Sequence, residues 1–199
     1  TPPAWIRRNA PKVPAPPRTL RPSLMDEGPA IKSPVNTDFH QFKRGNILHF
    51  LLKSLPELPS DNRRAAMEDY LSAPAHHLSP ATQKQISREV LAVLNHPKLF
   101  SLFGPESQAE VSILGSVGNS EDCLISGQID RILITKRRVT IVDFKTNRSP
   151  PKLESDVAIV YLRQMAAYRT LLRSIYPKRN IITVLVWTEG PQLMHLSDQ

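Results

Sequence analysis

Hydrophobic and polar positions along the chain fall into three successive textures. Up to about residue 37 no periodicity is visible, and nine of the 19 prolines lie within residues 1–36. Proline lacks an N–H donor and fixes φ, so runs such as Pro14-Ala15-Pro16-Pro17 sustain neither a helix nor a central strand. Residues 1–37 therefore read as a Pro-rich linker or arm, extended and partly polyproline II. It is either a solvated spacer or an arm packed on the following domain or touching nucleic-acid phosphates. Trp5 and Ile6 are the anchors such an arm would use.

From Asp38 the texture becomes helical. Ile47, Leu48, Leu51 and Leu52 recur at helical spacing, and Pro56 and Pro59 stop that helix. Ser60 is expected to cap a second helix over about 61–73, with Ala65, Met67 and Leu71 inward. Ser79-Pro80 is a cap followed by proline at the first helical position. A third helix is predicted from there to about Asn95, burying Ile86, Val90, Leu91 and Leu94.

After Gly104 the texture is that of strands. Glu110–Leu114, Leu124–Ile134 and Val139–Thr146 are rich in β-branched residues. A helix over about Asp156–Ile175 separates them from a buried strand, Ile181–Trp187, and a last one, Gln192–Leu196. Helices, then β-β-β, α, β-β, define an α/β (α+β) architecture around a central mixed sheet with an N-terminal helical portion.

Bulk properties narrow the field. No apolar run approaches the roughly 18–20 residues that span a bilayer, and nothing reads as a secretion signal, so a membrane partner is not expected. The single cysteine, Cys123, excludes a disulfide framework and a thiolate cluster, and it fits a reducing, cytoplasmic home. A beginning at Thr1 reads as a segment of a longer chain. The net charge of +8 suggests nucleic acid, but its distribution weakens that signal. Residues 1–44 hold 8 Lys/Arg against 3 Asp/Glu, and residues 45–199 hold 18 against 15, so the folded part is nearly balanced.

The most informative segment runs from Ile129 to Thr146. A tight hairpin centred between Lys136 and Arg137 pairs Ile134 with Val139 and Ile132 with Ile141. It then sets Asp130 opposite Asp143, on the same face as those apolar pairs, with Lys145 two positions on. Carboxylates about 5 Å apart repel by roughly 3 kcal/mol at an effective dielectric of about 20. A divalent cation removes that repulsion, and hard oxygen ligands suit Mg²⁺, with Mn²⁺ as a substitute. A lysine beside it serves phosphodiester hydrolysis. The competing reading is a solvent-exposed hairpin whose acids pair with Arg131, Lys145 or Arg148.

Four motifs in order resemble the RecB-type branch of the PD-(D/E)XK nuclease superfamily. They are Gly45 followed by His49 and Leu51-Leu52; Gly127-Gln128-Ile129-Asp130-Arg131; Val142-Asp143-Phe144-Lys145-Thr146; and Tyr161-Leu162-Arg163-Gln164-Met165-Ala166-Ala167-Tyr168. The wording is most similar to the C-terminal nuclease domains of AddA-type helicase–nucleases of double-strand break repair. It covers about residues 40–196, within a domain over 38–199.

The resemblance implies the PD-(D/E)XK restriction-endonuclease-like fold and a catalytic set of Asp130, Asp143, Lys145 and Glu110. The metal ligands would be His49, Asp130, Asp143 and the backbone carbonyl of Phe144. Gln164 and Tyr168 would meet DNA or brace the site. Tyr161 reads as a core aromatic, Arg131 and Thr146 as supports, and His76-His77 as surface. The resemblance also implies single-stranded DNA ends as substrate, an AddB-type partner subunit, and ATP use only in a helicase part outside this sequence, which lacks a GxxxxGK[ST] loop. The alternatives are a catalytically silent DNA-binding or docking module with a nuclease fold, and a stand-alone restriction-type endonuclease.

Overall fold

The structure, a computed structural model, describes residues 3, 18–22, 37–116, 123–147 and 149–198. Trp5, Ile6, Arg148 and most of the Pro-rich segment lie outside the described residues.

Three helices form as expected: α1 (Thr37–Ser54), α2 (Ser60–Ser72) and α3 (Pro80–Leu94). Ile47, Leu48, Leu51 and Leu52 of α1 are buried. The entry to α2 corrects the sequence expectation, because Pro59 holds the N-cap position and Ser60 is already helical, its hydroxyl bonding Asp61 at 3.1 Å. Met67 and Leu71 are buried, whereas Ala65 faces solvent and Ala66 packs inward in its place. Ser79 caps α3 by accepting from the Thr82 N–H at 3.2 Å, with Pro80 at the first position.

The strands are β1 (Arg18–Leu20), β2 (Ser107–Ser116), β3 (Cys123–Ile134), β4 (Arg138–Lys145), β5 (Asn180–Trp187) and β6 (Gln192–His195). β2 has ten residues, double the stretch its composition suggested. Helix α4 (Ile159–Ile175) begins late, since Glu154–Asp156 is a separate 3-10 turn and Val157 is extended. One mixed sheet results, in the order β1-β3-β4-β5-β6, with β2 also paired to β3. β4 and β5 are parallel, which requires a crossover, and α4 supplies it.

Helices cover both faces. On one, α1–α3 pack on Val142, Phe144, Val184 and Val186. On the other, α4 packs on Ile141, Ile181, Leu185 and Trp187 through Met165, Tyr168, Leu171 and Leu172. The β3–β4 hairpin has the expected register, Ile134 opposite Val139 and Ile132 opposite Ile141, closed by Thr135 N–H to the Arg138 carbonyl at 2.9 Å.

Strands β2 and β3 exchange faces partway along. Below Asp130, Arg131 points to the three-helix layer, where it donates to the carbonyls of Leu102 and Leu52, and Leu133 packs on that layer too. Above it, Ile129 and Ile125 pack on the α4 core, and a Cβ at Gly127 would lie 2.4 Å from Tyr168 of α4. Odd-numbered residues thus change sides across Asp130. β2 does the same across Glu110: Ser107 meets Arg131, whereas Val111 and Ile113 pack on the α4 core. The break is visible in the ladder, which pairs Ala109 with Arg131 and Val111 with Ile129 but omits the step between. Glu110, at that step, has φ +55°. Left-handed backbone at a residue with a Cβ costs about 1–2 kcal/mol, and such strain concentrates at functional sites.

β3 is also bordered in two pieces. β4 pairs with it at Arg131–Ile134 and β1 at Cys123–Ile125. Among the described residues, none pairs with Ser126–Asp130 on that side.

Candidate active site

The site lies at this parting of β3 and β4. Continuing the two registers by one step sets Glu110, Asp130 and Asp143 in a row across β2, β3 and β4. The expectation that both aspartates share one face is corrected by the face exchange. Asp143 keeps the side of Ile141, towards α4, whereas Asp130 falls at the exchange and turns to the edge of β4 and to α1. Its Oδ2 accepts the Phe144 N–H at 2.7 Å, and its Oδ1 lies 3.4 Å from His49 Nδ1. A side chain thereby takes the backbone donor that a ladder partner would have taken, and this ends the β3–β4 pairing.

His49, Glu110 and Asp130 each present a ligand atom, all within 4.8 Å of one another. A nitrogen and two carboxylate oxygens form a donor set of the kind that coordinates divalent metals. The residues therefore fit a divalent cation, and Glu110, expected to bind or orient the metal shell, stands with His49 and Asp130. Asp143 stands beside this cluster: its Oδ2 is 2.6 Å from Lys145 Nζ, and its Oδ1 accepts from Gln164 Nε2 at 2.9 Å. Lys145 Nζ also donates to Gln164 Oε1 at 3.2 Å. The Gln164 amide thus bridges the acid and the lysine, bracing the pair from α4.

Electrostatics follow from burial and crowding. Asp143 is pushed up to about 6 by burial first and the Asp130 charge second, against the opposing pull of Lys145. Burial and Asp130 likewise raise Glu110. Burial alone would lower the His49 imidazole, but the hydrogen bond to Asp130 and the charges of Asp130, Asp143 and Glu110 outweigh it and raise it.

Tyr168 lies beneath β3, and only a glycine at 127 leaves room for its ring, which gives the pairing of Gly127 with Tyr168 a steric reason. Burial raises its phenol.

Several supports were not singled out from sequence. Arg44 of α1 donates to the Thr146 carbonyl at 3.1 Å and pairs with the buried Glu89 of α3. Glu89 also accepts from Thr188 Oγ1 at 3.4 Å, and the Thr188 N–H donates to the Lys145 carbonyl at 3.0 Å. This latch fixes the end of β4. Tyr161, expected to be a core aromatic, does border the α4 core, yet its ring also lies under Lys145 Nζ at 3.9 Å. Its hydroxyl bonds Asn147 at 2.9 and 3.2 Å. The spacing of three between Tyr161 and Gln164 was the available signal, since it places both on one helix face. Arg131 is buried under Phe103 as a structural support. His77 is exposed, and His76 is half-buried against Tyr70.

Comparison with known proteins fits this arrangement. Residues 25–192 match the PD-(D/E)XK nuclease superfamily, and the chain belongs to it. The fold is therefore the PD-(D/E)XK fold, with the mixed sheet between helical layers. No curated protein matches the chain. Among solved structures, one from Eubacterium rectale, named provisionally as an exonuclease, aligns with TM-score 0.48 at 16% identity, over 80% of this chain and 59% of that one. The protein SSO0001 aligns with TM-score 0.35 at 16% identity, over 81% and 77%. The chain thus spans well under two thirds of the length of the first of these, and the family assignment rests on the sequence match. Among the described residues no helix is long and apolar enough to cross a membrane.

Proposed function

We propose that this domain hydrolyses DNA phosphodiesters with a divalent cation, Mg²⁺ or Mn²⁺, and acts exonucleolytically on single strands. The observation that carries the proposal is the convergence of a lysine–carboxylate pair, Lys145 and Asp143, beside the His49–Glu110–Asp130 cluster. His49, Glu110 and Asp130 would hold the cation, with Asp143 and the Phe144 carbonyl completing the set. A cation bound there would neutralise charge on a phosphate oxygen and acidify a bound water.

The chain's own groups do the rest. The Lys145 ammonium offers N–H donors to the attacking water or to a non-bridging phosphate oxygen, where charge accumulates in the transition state. Gln164 holds Lys145 and Asp143 in register, so the ammonium does not have to be ordered at the moment of reaction. Tyr168 fills the space under β3 and fixes the helix that carries Gln164.

The wider setting belongs to the same proposal. The order and wording of the four motifs support a nuclease domain of a bacterial, cytoplasmic AddA-type helicase–nuclease, joined to its motor by the Pro-rich segment before residue 38. It would be paired with an AddB-type subunit in recombinational repair of double-strand breaks, with ATP used only by the helicase.

The test is a cleavage assay on end-labelled single-stranded DNA with Mg²⁺ or Mn²⁺. Wild type is expected to shorten the strand, and Asp143→Ala and Lys145→Ala to lose activity by at least about a hundredfold while retaining their circular dichroism. A folded wild type that binds DNA without cutting it in either metal would instead identify a docking module.

A further inference from the structure

We infer that Tyr161 is a positioning residue for the catalytic lysine, acting through the face of its ring. This rests on the nuclease reading above. Among the described residues, Lys145 Nζ meets the Asp143 carboxylate at 2.6 Å, the Gln164 amide oxygen at 3.2 Å and the Tyr161 ring centroid at 3.9 Å. They differ in kind. A carboxylate that carries a full charge attracts the ammonium most strongly, and that same charge repels a phosphate. A ring face attracts it through the quadrupole and carries no net charge that would repel the substrate's phosphates. The ring therefore adds a hold on an ammonium already engaged by Asp143 and Gln164, without taking up its remaining N–H donor or adding a charge that repels the substrate.

The ring itself is fixed from its far end. Asn147 Nδ2 donates to the Tyr161 hydroxyl at 2.9 Å, and that hydroxyl lies 3.2 Å from Asn147 Oδ1. Asn147 follows Lys145 by two residues, just past the end of β4, so strand and helix are tied together on either side of the lysine. Tyr161, Gln164 and Tyr168 then form one functional stripe of α4: the ring and the amide hold Lys145, and the second ring fits Gly127.

The experiment compares wild type, Tyr161→Leu, Tyr161→Phe and Asn147→Ala in cleavage of labelled single-stranded DNA with Mg²⁺. Anisotropy in EDTA measures DNA binding, and NMR in EDTA measures the ring-current shift of the Lys145 ε-protons. Leucine keeps an apolar group at the core margin but has no ring face. We expect Tyr161→Leu to lower kcat about tenfold with KM and metal-free affinity unchanged, and Tyr161→Phe to fall no more than about threefold. The upfield shift should vanish in the leucine variant and persist in the phenylalanine one. Asn147→Ala, which leaves the core untouched, should lower kcat about threefold, as an unfastened ring would. Cutting by Tyr161→Leu at the wild-type rate, or a loss confined to KM and binding, would overturn the inference. So would a phenylalanine variant as weak as the leucine one. An inactive wild type refutes the nuclease reading itself, and this role with it.

Discussion

Asp143 carries opposing demands in one side chain. It is buried, it stands beside Asp130, and its carboxyl titrates near 6 rather than the ordinary 3.8. A carboxyl raised on folding favours the folded state below its unfolded value, and that contribution is lost as pH climbs through the folded value. In EDTA the protein should therefore lose stability between about pH 4 and pH 6. Asp143→Asn removes both the desolvated charge and the repulsion from Asp130. It should melt higher than wild type at pH 7 and show a flatter profile over pH 4–6, by thermal melts across a buffer series. A variant that melts lower at pH 7 would mean that the pairs with Lys145 and Gln164 outweigh burial. At this scale the sequence was legible for residue identity: Asp130, Asp143, Lys145, His49, Glu110 and Gln164 all lie at the site. It was not legible for who holds whom. The meeting of Glu110 with His49 and Asp130 coincides with a positive φ that nothing about a glutamate announces.

Among elements, the β3–β4 hairpin was readable because its apolar pairs set the register without help from a glycine or asparagine turn. The face exchange was not. Ile129-Asp130-Arg131-Ile132-Leu133 has apolar residues at both parities, so strict alternation explained it equally well on paper. Nor did local pattern show how α1, α3 and the strand ends are joined, since Arg44 and Glu89 are 45 residues apart. Their pair is almost dry, at 15% and 9% side-chain exposure. Breaking a buried pair by removing one partner leaves the other charge uncompensated, at a cost of about 3–5 kcal/mol. Arg44→Met should therefore destabilise by roughly 3 kcal/mol in urea unfolding, and should cost activity as well, because Arg44 and Thr188 both anchor the end of β4. Replacing both residues by apolar ones should recover much of the stability but not the activity.

At the scale of the molecule, the site draws on α1, β2, β3, β4 and α4, so it exists only when both layers are folded on the sheet. Charge in the middle of that assembly works against it, and a cation should relieve the strain. Saturating Mn²⁺ at about a hundred times its dissociation constant would add about 2.7 kcal/mol, a rise of several degrees in melting temperature. The rise should be lost in His49→Ala and Asp130→Asn, and an equal rise in those variants would place the ion elsewhere. The fold class, the helix–strand order and the mixed sheet were all open to the sequence. The short β1, set within the proline-rich stretch, was not, because three residues carry no period.

The sides exchanged by β2 and β3 at Glu110 and Asp130 leave each strand stitched through the sheet, its lower part facing one helical layer and its upper part the other. Neither layer is then a detachable module. A hairpin borrowed from a protein with regular alternation would satisfy Arg131 or Ile129, never both, and recombining such domains demands that the stitch be carried across whole.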